Sequence, residues 1–433
     1  MAPVFHTLRI ARVRRETVDA VSLSFDVPPD LAGAYAFRPG QFLTLRATIG
    51  GQDIRRTYSI CSGPGEPIRV GIKRVPGGVF STWANQALRD GDTLRVMTPD
   101  GRFVLPEAPP APRTIAAFAA GAGITPILAI LKAVLATEPE ARVFLFYGNR
   151  TTEGILFRDE IEDLKDRHLS RLSVFHVLSR EAQDVPVLNG HLDAAKVRLL
   201  LRSVLPAGAI DQAFICGPQP MIEDLPQALR DLGVPGERVH VERFAVGGMM
   251  GEGLTSAAPV AVPPPAPTTV MAGLDPAPHS TAAAQRGGTD PRQVAGSGPA
   301  MTVGAGTAAP QRGGTDPGRV AGSSPAMTER VGAPPPTTGP TPTRVTLIHE
   351  GAQTTIPVRP DEPIIDAAIR AGRDLPYSCK AGMCCTCRAR VTEGRVEMVV
   401  NYSLEPWELE AGFVLTCQAR PLTPTVIVDF DAV

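Results

Sequence analysis

Pro376-Tyr-Ser-Cys-Lys-Ala-Gly-Met-Cys-Cys-Thr-Cys387 places Cys379, Cys384 and Cys387 in one tight loop, and Cys417 follows after 29 further residues. Four thiolates at C-x4-C-x2-C…C spacing can wrap a [2Fe–2S] cluster, which carries one electron at a time at low potential. Gly382 lets the backbone turn so that amide hydrogens face the sulfides, and hydrogen bonds to sulfur help set the potential. Zinc is the competing reading. Four-cysteine zinc sites usually arrive in sequence as two close pairs, whereas here three cysteines cluster and one stands apart. Cys385 lies inside the loop but out of register, and reads as a small side chain packed under it rather than a fifth ligand. A one-electron carrier needs something to fill it. The first 244 residues have that character.

At 433 residues the chain has room for about three domains. Its 43 basic and 44 acidic residues leave a net charge of −1, so charge gives no case for nucleic acid or an anionic membrane as partner. Seven cysteines, four of them at cluster spacing, argue against a disulfide scaffold and for a reducing compartment. The first residues do not read as a signal peptide, so the cytoplasm is the expected location. Thr114 to Leu131 carries no charge and is long enough to suggest a membrane helix. Gly121, Gly123 and Pro126 break it. It reads instead as a buried strand (Thr114–Ala120), a glycine turn, and a helix with Thr125 as N-cap and Pro126 as first helical residue.

Four segments follow from the changing rhythm. Residues 1–108 alternate in short strands at Leu8–Val13, Ala20–Val27, Gln41–Ala47, Arg56–Ser62, Pro67–Arg74 and Thr93–Met97, with one helix near Ser81–Arg89. That is an antiparallel barrel or sandwich pattern. Residues 109–244 alternate strand and helix. Apolar strands begin at Thr114, Ala141, Leu172, Gln212 and Arg238, and helices lie at Pro126–Ala136, Ala194–Leu205 and Pro220–Leu232. Five such strands predict an α/β doubly wound parallel sheet. Residues 245–343 contain no aromatic residue and seventeen of the forty-four prolines. There Gln285–Thr302 recurs almost unchanged as Gln311–Thr328. With little apolar surface to offset ordering entropy, this segment is expected to be a disordered linker. Residues 344–433 predict a β-grasp domain: a hairpin (Val345–Glu350, Gln353–Val358), a helix (Ile364–Ala371), the cysteine loop, and strands near Cys387–Val391 and Val426–Phe430.

Three further motifs carry chemistry. In Arg56-Thr-Tyr-Ser59, the arginine can pair with a phosphate, Tyr58 can lie on an isoalloxazine face and the Ser59 hydroxyl can reach a flavin ring nitrogen. Read alone, such a pair on a strand is ordinary surface. It gains weight from Gly77-Gly-Val-Phe-Ser81, where a glycine turn opens a helix whose free amides suit a phosphate. Gly121-Ala-Gly-Ile-Thr-Pro126 is another strand-to-helix turn, shorter than the dinucleotide fingerprint. Arg150 and Arg180 follow strand ends, where a 2′-phosphate could be accepted, and together they favour NADPH over NADH. Cys216-Gly-Pro218 ends a strand. Its cysteine is either a small side chain that lets a nicotinamide approach the flavin or a buried core cysteine.

Arg56-Thr-Tyr-Ser-Ile-Cys61, Ala120-Gly-Ala-Gly-Ile-Thr-Pro126, Phe214-Ile-Cys-Gly-Pro218, Val241-Glu-Arg-Phe244 and Asp374-Leu-Pro-Tyr-Ser-Cys-Lys380 occur in this order. Asn401-Tyr-Ser-Leu-Glu-Pro406, Leu415-Thr-Cys-Gln-Ala419 and Val428-Asp-Phe-Asp431 follow. Together they resemble the ferredoxin–NADP reductase superfamily with a plant-type ferredoxin fused at the C-terminus. Within it, they are similar to the reductase components of bacterial ring-1,2-phenylacetyl-CoA epoxidases. The resemblance covers residues 3–244 and 344–433. It implies FAD in a six-stranded Greek-key barrel, NADPH on a five-stranded sheet and a [2Fe–2S] ferredoxin held by Cys379, Cys384, Cys387 and Cys417. Flavin contacts carry over to Arg56, Thr57, Tyr58, Ser59, Gly78 and Ser81, with Phe244 nearby. Nucleotide contacts carry over to Gly121, Thr125, Arg150, Ser179, Arg180, Cys216, Gly217, Pro218 and Met221. Ser59 and Cys216 are the residues expected beside the reacting atoms. The long 245–343 segment is the departure, since similar proteins have a much shorter connection.

The implied activity is an NADPH-dependent flavoprotein reductase that feeds single electrons to the di-iron oxygenase components which epoxidise phenylacetyl-CoA. Another aromatic-ring oxygenase, Rieske-type or di-iron, is an alternative partner that these motifs do not separate. A zinc-bearing scaffold without catalysis is the alternative from a different class.

Overall fold

Alternating apolar and polar side chains turn the first hundred residues into antiparallel strands, because successive side chains on a strand face opposite ways. The computed structural model describes residues 4–109, 111–244, 260–262 and 343–432. In the first module β1 (Phe5–Thr17), β2 (Ala20–Asp26), β3 (Phe42–Ile49), β4 (Gln52–Ser59), β5 (Arg69–Lys73) and β6 (Thr93–Met97) form one sheet in the order β4-β3-β6-β1-β2-β5. A bridge between Ile60 and Val70 joins the end of β4 to β5 and closes the sheet into a barrel. Leu8, Leu23, Leu43 and Val70 fill its core together with Phe80 from α1 (Val79–Gln86).

The second module is the doubly wound sheet. Its elements are β7 (Thr114–Ala120), α2 (Ile124–Thr137), β8 (Arg142–Asn149), α3 (Arg158–Arg167), β9 (Leu172–Leu178), α4 (Ala194–Val204), β10 (Gln212–Cys216), α5 (Gln219–Asp231) and β11 (Val239–Glu242). All neighbours are parallel, in the order β11-β10-β7-β8-β9. The winding reverses between β7 and β10, and ligands of such sheets bind beyond the strand ends at that switch point. The apolar run from Thr114 divides between β7 and α2. Among the described residues no helix is long and apolar enough to cross a membrane.

Thr125 is not the N-cap of α2. A 3-10 turn over Gly121–Gly123 is already helical, so Gly123 takes the cap position and α2 starts at Ile124. The Thr125 hydroxyl instead donates back to the Ala122 carbonyl at 3.0 Å. Pro126 then falls inside the first turn, where its missing N–H costs nothing. Helix α3 was not expected: its sequence, Arg158-Asp-Glu-Ile-Glu-Asp-Leu-Lys-Asp-Arg167, buries only Ile161 and Leu164.

In the third module β13 (Thr343–His349) and β14 (Ala352–Val358) form the hairpin, and α6 (Ile364–Arg370) packs beneath it, as in a β-grasp fold. β15 (Arg388–Glu393), β17 (Phe413–Leu415) and β19 (Thr425–Asp429) complete a sheet ordered β14-β13-β19-β15-β17, with β13 and β19 parallel. The short strands β16 (Val396–Met398) and β18 (Ala419–Pro421) and the helix α7 (Pro406–Glu410) are additions that the sequence pattern does not announce. The linker expected over 245–343 lies outside the described residues except for Thr343 and Val260–Val262. The latter three form β12, which pairs antiparallel with the edge of β16, Val260 opposite Met398. Two valines favour extended backbone, and an open strand edge offers the hydrogen bonds.

The three modules belong to one packed unit. Barrel and parallel sheet meet through a largely buried charge cluster. Lys132 of α2 pairs with Glu66 at 2.6 Å and with Glu160 of α3, while Arg69 of β5 donates to both oxygens of Glu160 at 2.7 and 2.8 Å. Burial alone would raise the Glu160 carboxyl. Arg69 and Lys132 outweigh it and hold the group below its ordinary 4.5. Its contribution is therefore present above that value and fades as pH falls through the lower, folded-state one. Lys132→Met should lower unfolding stability by about 1.5–3 kcal/mol, because Glu160 loses one of its two charge-assisted partners while Arg69 remains. Chemical denaturation at pH 7 measures this. A loss under about 0.5 kcal/mol, the level of an exposed pair, would contradict it.

Candidate functional site

At the switch point, two strand-to-helix turns come so close that only glycine fits. A Cβ at Gly123 would lie 2.0 Å from the Cys216 carbonyl oxygen, and one at Gly217 would lie 3.3 Å from the Ala120 Cβ of the other turn. Gly121 has φ +53°, and its carbonyl accepts from the buried Tyr147 hydroxyl at 3.0 Å. The turn residues Gly121, Cys216, Gly217, Pro218 and Met221 therefore lie together. Thr125 is buried nearby, but its hydroxyl is committed to Ala122, and its methyl packs against Gly71 of the barrel. Arg150, Ser179 and Arg180 sit beyond the ends of β8 and β9. These ends are tied by Ser179 N–H to Asn149 O (3.0 Å) and Arg180 N–H to Arg150 O (2.8 Å). Both arginines are exposed.

In the barrel, Arg56 to Ser59 close strand β4. Period-two alternation puts Arg55 on the face of β4 away from the barrel core, where it is buried, and Arg56 on the face shared with Ile54 and Tyr58, where it is exposed. The Tyr58 ring lies 5.7 Å from the Phe80 ring of α1, so the strand and the helix start face one another. Gly77 has φ +71°, which lets the chain turn into α1, and no side chain caps that helix. Ser81 closes this turn rather than facing outward: its hydroxyl accepts from Val75 N–H at 3.1 Å and donates to Gly78 O at 3.3 Å. The first-turn amides of α1 are left for an anionic ligand, the arrangement a flavin phosphate needs.

The cysteine loop turns through three left-handed residues, Lys380, Gly382 and Cys385. This points backbone N–H groups inward, and Ala381 N–H reaches the Cys379 sulfur at 3.3 Å. All the cysteines are free. The four expected ligands stand as two thiol pairs, Cys379 with Cys384 and Cys387 with Cys417. The Cys384 thiol and the amides of Ala381, Met383 and Cys384 bring Cys379 down to about 6, toward the thiolate that a metal needs. Two pairs match the two irons of a [2Fe–2S] cluster. A zinc ion would need all four around one point, and among the described residues no three His, Cys, Asp or Glu converge that way. The residues present thus fit the cluster. Cys385 turns away, its thiol donating to the Ser403 carbonyl at 3.6 Å.

These parts meet at one cleft, lined by Phe42, Thr57, Ser59, Glu242, Phe244, Cys379, Met383 and Cys384, with Arg243 beside them. Barrel, parallel sheet and cysteine loop each contribute a wall. Thr57, Ser59, Phe244, Cys379 and Cys384 were expected on functional grounds, whereas Phe42, Glu242, Arg243 and Met383 were not. Pairing register could have found two of them. Phe42 is the antiparallel partner of Ser59, and Glu242 is two residues from Phe244 and the parallel partner of Cys216. Burial pushes the Glu242 carboxyl up to about 8, so it holds a proton at neutral pH. Burial pushes the fully buried Cys216 thiol well up, so it is neutral too. Cys216 packs in the core between the sheet and α2.

Gly123→Ala should disturb the Cys216 turn and leave the barrel alone. NAD(P)H-driven reduction of ferricyanide should fall at least tenfold while any flavin spectrum persists. Unchanged kinetics would refute the close approach as a requirement.

Residues 8–105 match the oxidoreductase FAD-binding domain, residues 118–227 the oxidoreductase NAD-binding domain, and residues 347–422 the 2Fe-2S iron-sulfur cluster binding domain. One component of the 1,2-phenylacetyl-CoA epoxidase of Escherichia coli K12 is 39% identical, over 99% of this chain and 98% of that protein. The ferredoxin reductase component of the 3-ketosteroid-9-alpha-monooxygenase of Rhodococcus rhodochrous is 29% identical, over 98% and 96%. The phthalate dioxygenase reductase structure, 20% identical and matched over 98% of both chains, superposes with a TM-score of 0.50 and so shares the fold. The chain is an oxidoreductase with FAD, NAD and [2Fe–2S] modules, which pass electrons from NAD(P)H through FAD to the cluster. It belongs to the ferredoxin–NADP reductase superfamily, in the branch with a C-terminal [2Fe–2S] ferredoxin that includes this component of the phenylacetyl-CoA epoxidase.

Proposed function

We propose that this chain works in the cytoplasm, draws on NADPH, and delivers single electrons to the di-iron oxygenase components of a phenylacetyl-CoA epoxidase complex. The observation that carries the reading is the shared cleft, in which Ser59 and Phe244 of the reductase face Cys379 and Cys384 of the ferredoxin. The modules divide at 1–108 for FAD, 109–244 for the nucleotide and 344–433 for the cluster, with 245–343 as the connection. When bound, FAD takes two electrons as hydride and returns them singly, and the cluster carries one at a time.

Each residue then has a physical task. Arg56 and the free amides after Gly78 neutralise flavin phosphates, with Ser81 holding the turn in shape. Thr57 and Ser59 would present hydroxyls to the flavin ring, Tyr58 would pack on it and Phe244 would sit near it. Gly121, Thr125, Gly217, Pro218 and Met221 form the nucleotide cradle, and Cys216 gives the nicotinamide a small, neutral neighbour. Glu242 keeps a proton at the cleft without adding a charge. Ser179, Arg150 and Arg180 are placed for a 2′-phosphate. Cys379 and Cys384 would hold one iron, and Cys387 and Cys417 the other.

Three measurements test the reading. Purified oxygenase components and phenylacetyl-CoA should make NADPH oxidation and epoxide formation depend on this chain. If only a Rieske-type or another oxygenase is served, the partner assignment fails. Loss of a charge-assisted contact costs about 1.5–3 kcal/mol, so Arg150→Ala with Arg180→Ala should raise the KM for NADPH roughly 10- to 100-fold and spare NADH. Equal loss with both donors would remove the NADPH preference. Cys384→Ser should bleach the cluster while NADPH-to-ferricyanide activity persists, and loss of both would contradict separate modules.

A further inference from the structure

Ferredoxin and barrel are joined by two arginine clamps, one on either side of the cysteine loop. In the first, Arg55 reaches from the face of β4 turned away from the barrel core. Its side chain is 3% exposed and pairs with Asp374, and it donates to the Leu375 carbonyl at 3.2 Å. Its guanidinium lies 4.2 Å from the Tyr377 ring centroid, and Arg46 of β3 adds a 2.8 Å bond to the other Asp374 oxygen. Asp374 is five residues before Cys379. In the second, Arg102, beyond β6, forms a bidentate pair with Glu408 of α7, at 2.6 Å for one arm, and donates to Ser403 O at 3.4 Å. Glu408 is fully buried, and Arg388 lies 3.0 Å from its other side. This clamp is wired to the loop: Ser403 Oγ donates to the Gly382 carbonyl at 3.3 Å, and Tyr402 N–H to the same oxygen at 3.1 Å.

Buried or half-buried ion pairs lose in desolvation much of what they gain in attraction, so they contribute little net affinity but fix geometry closely. A module on the same chain needs no high affinity to find its partner, whereas it does need registration. We infer that the Arg55–Asp374 and Arg102–Glu408 clamps are the positioning device that sets electron transfer from the flavin to the cluster. They do so by seating Cys379, Met383 and Cys384 against the cleft. Arg55, Arg102, Asp374 and Glu408 are positioning residues, because they act through the loop. Each passage moves one electron from the reduced flavin to the oxidised cluster, with no atom exchanged. Two passages, with the cluster emptied by the acceptor in between, discharge the pair delivered by one NADPH. The inference rests on the proposed placement of flavin and cluster on the two sides of the cleft.

The test uses the full chain carrying Asp374→Asn with Arg102→Met, and separately Arg102→Lys. Anaerobic rapid mixing with NADPH follows flavin bleaching and cluster reduction, steady-state ferricyanide reduction follows the flavin alone, and amide hydrogen exchange follows residues 375–377 and 402–408. In the double variant, ferricyanide turnover should stay within twofold and both chromophores should remain. Cluster reduction should slow at least tenfold, and exchange in the two segments should rise. Arg102→Lys, which keeps the charge but not the fork, should fall between. Cluster reduction at the wild-type rate despite raised exchange would overturn the inference, as would unchanged exchange in both segments. A wild-type chain without flavin absorbance or ferricyanide activity would instead sink the proposed function, and the exchange data would then still show whether the clamps hold the dock.

Discussion

A narrow seam, where Ser59 and Phe244 of the reductase meet the thiol pair Cys379–Cys384, is the constraint that the rest of the molecule serves. Electrons cross such a seam only if both sides are held still, and charges buried there without partners would be costly. The titratable groups behave accordingly. Glu242 keeps its proton, Cys216 stays a neutral thiol, and Cys379 alone is drawn toward the thiolate because backbone amides and a neighbouring thiol stabilise its charge.

Two consecutive arginines illustrate how one strand serves both partners. Arg55 and Arg56 lie on opposite sides of β4 because side chains alternate along a strand. One is buried against the ferredoxin, where it stacks on Tyr377 and binds Asp374, and the other is exposed. A shift of one residue in the pairing of β3 with β4 would exchange these tasks. The register that puts Phe42 opposite Ser59 is thus a functional feature as well as a structural one. The Lys132, Glu66, Glu160 and Arg69 cluster plays the matching part between barrel and parallel sheet, keeping the switch point in line with the flavin side.

Much of this was legible in the chain. Alternation marked the barrel strands, apolar runs broken by glycine turns marked the parallel sheet, and cysteine spacing marked the cluster loop. What escaped was of three kinds. Helix α3 carries too few apolar residues to show a helical stripe, since only Ile161 and Leu164 need burial. Thr125 looked like a cap, but the preceding glycines had already begun to wind, and its hydroxyl found Ala122 instead. Strands β16, β17 and β18 are three residues each, too short for any period to register.

Sequence by itself determined the chemistry available, because ligand type and spacing are written along the chain: four thiols for two irons, glycines at the strand-to-helix turns, an arginine–tyrosine–serine run at a strand end. Tertiary structure decided which of these groups share a cleft. Arg55 with Asp374, Arg102 with Glu408, and Glu242 with Cys216 come together across 319, 306 and 26 positions. No local periodicity carries such contacts. The two arginine contacts arise only when separate cores are pressed together and the polar groups left between them must find partners or give up their charge, and the Glu242–Cys216 pairing only when β10 and β11 align in one sheet.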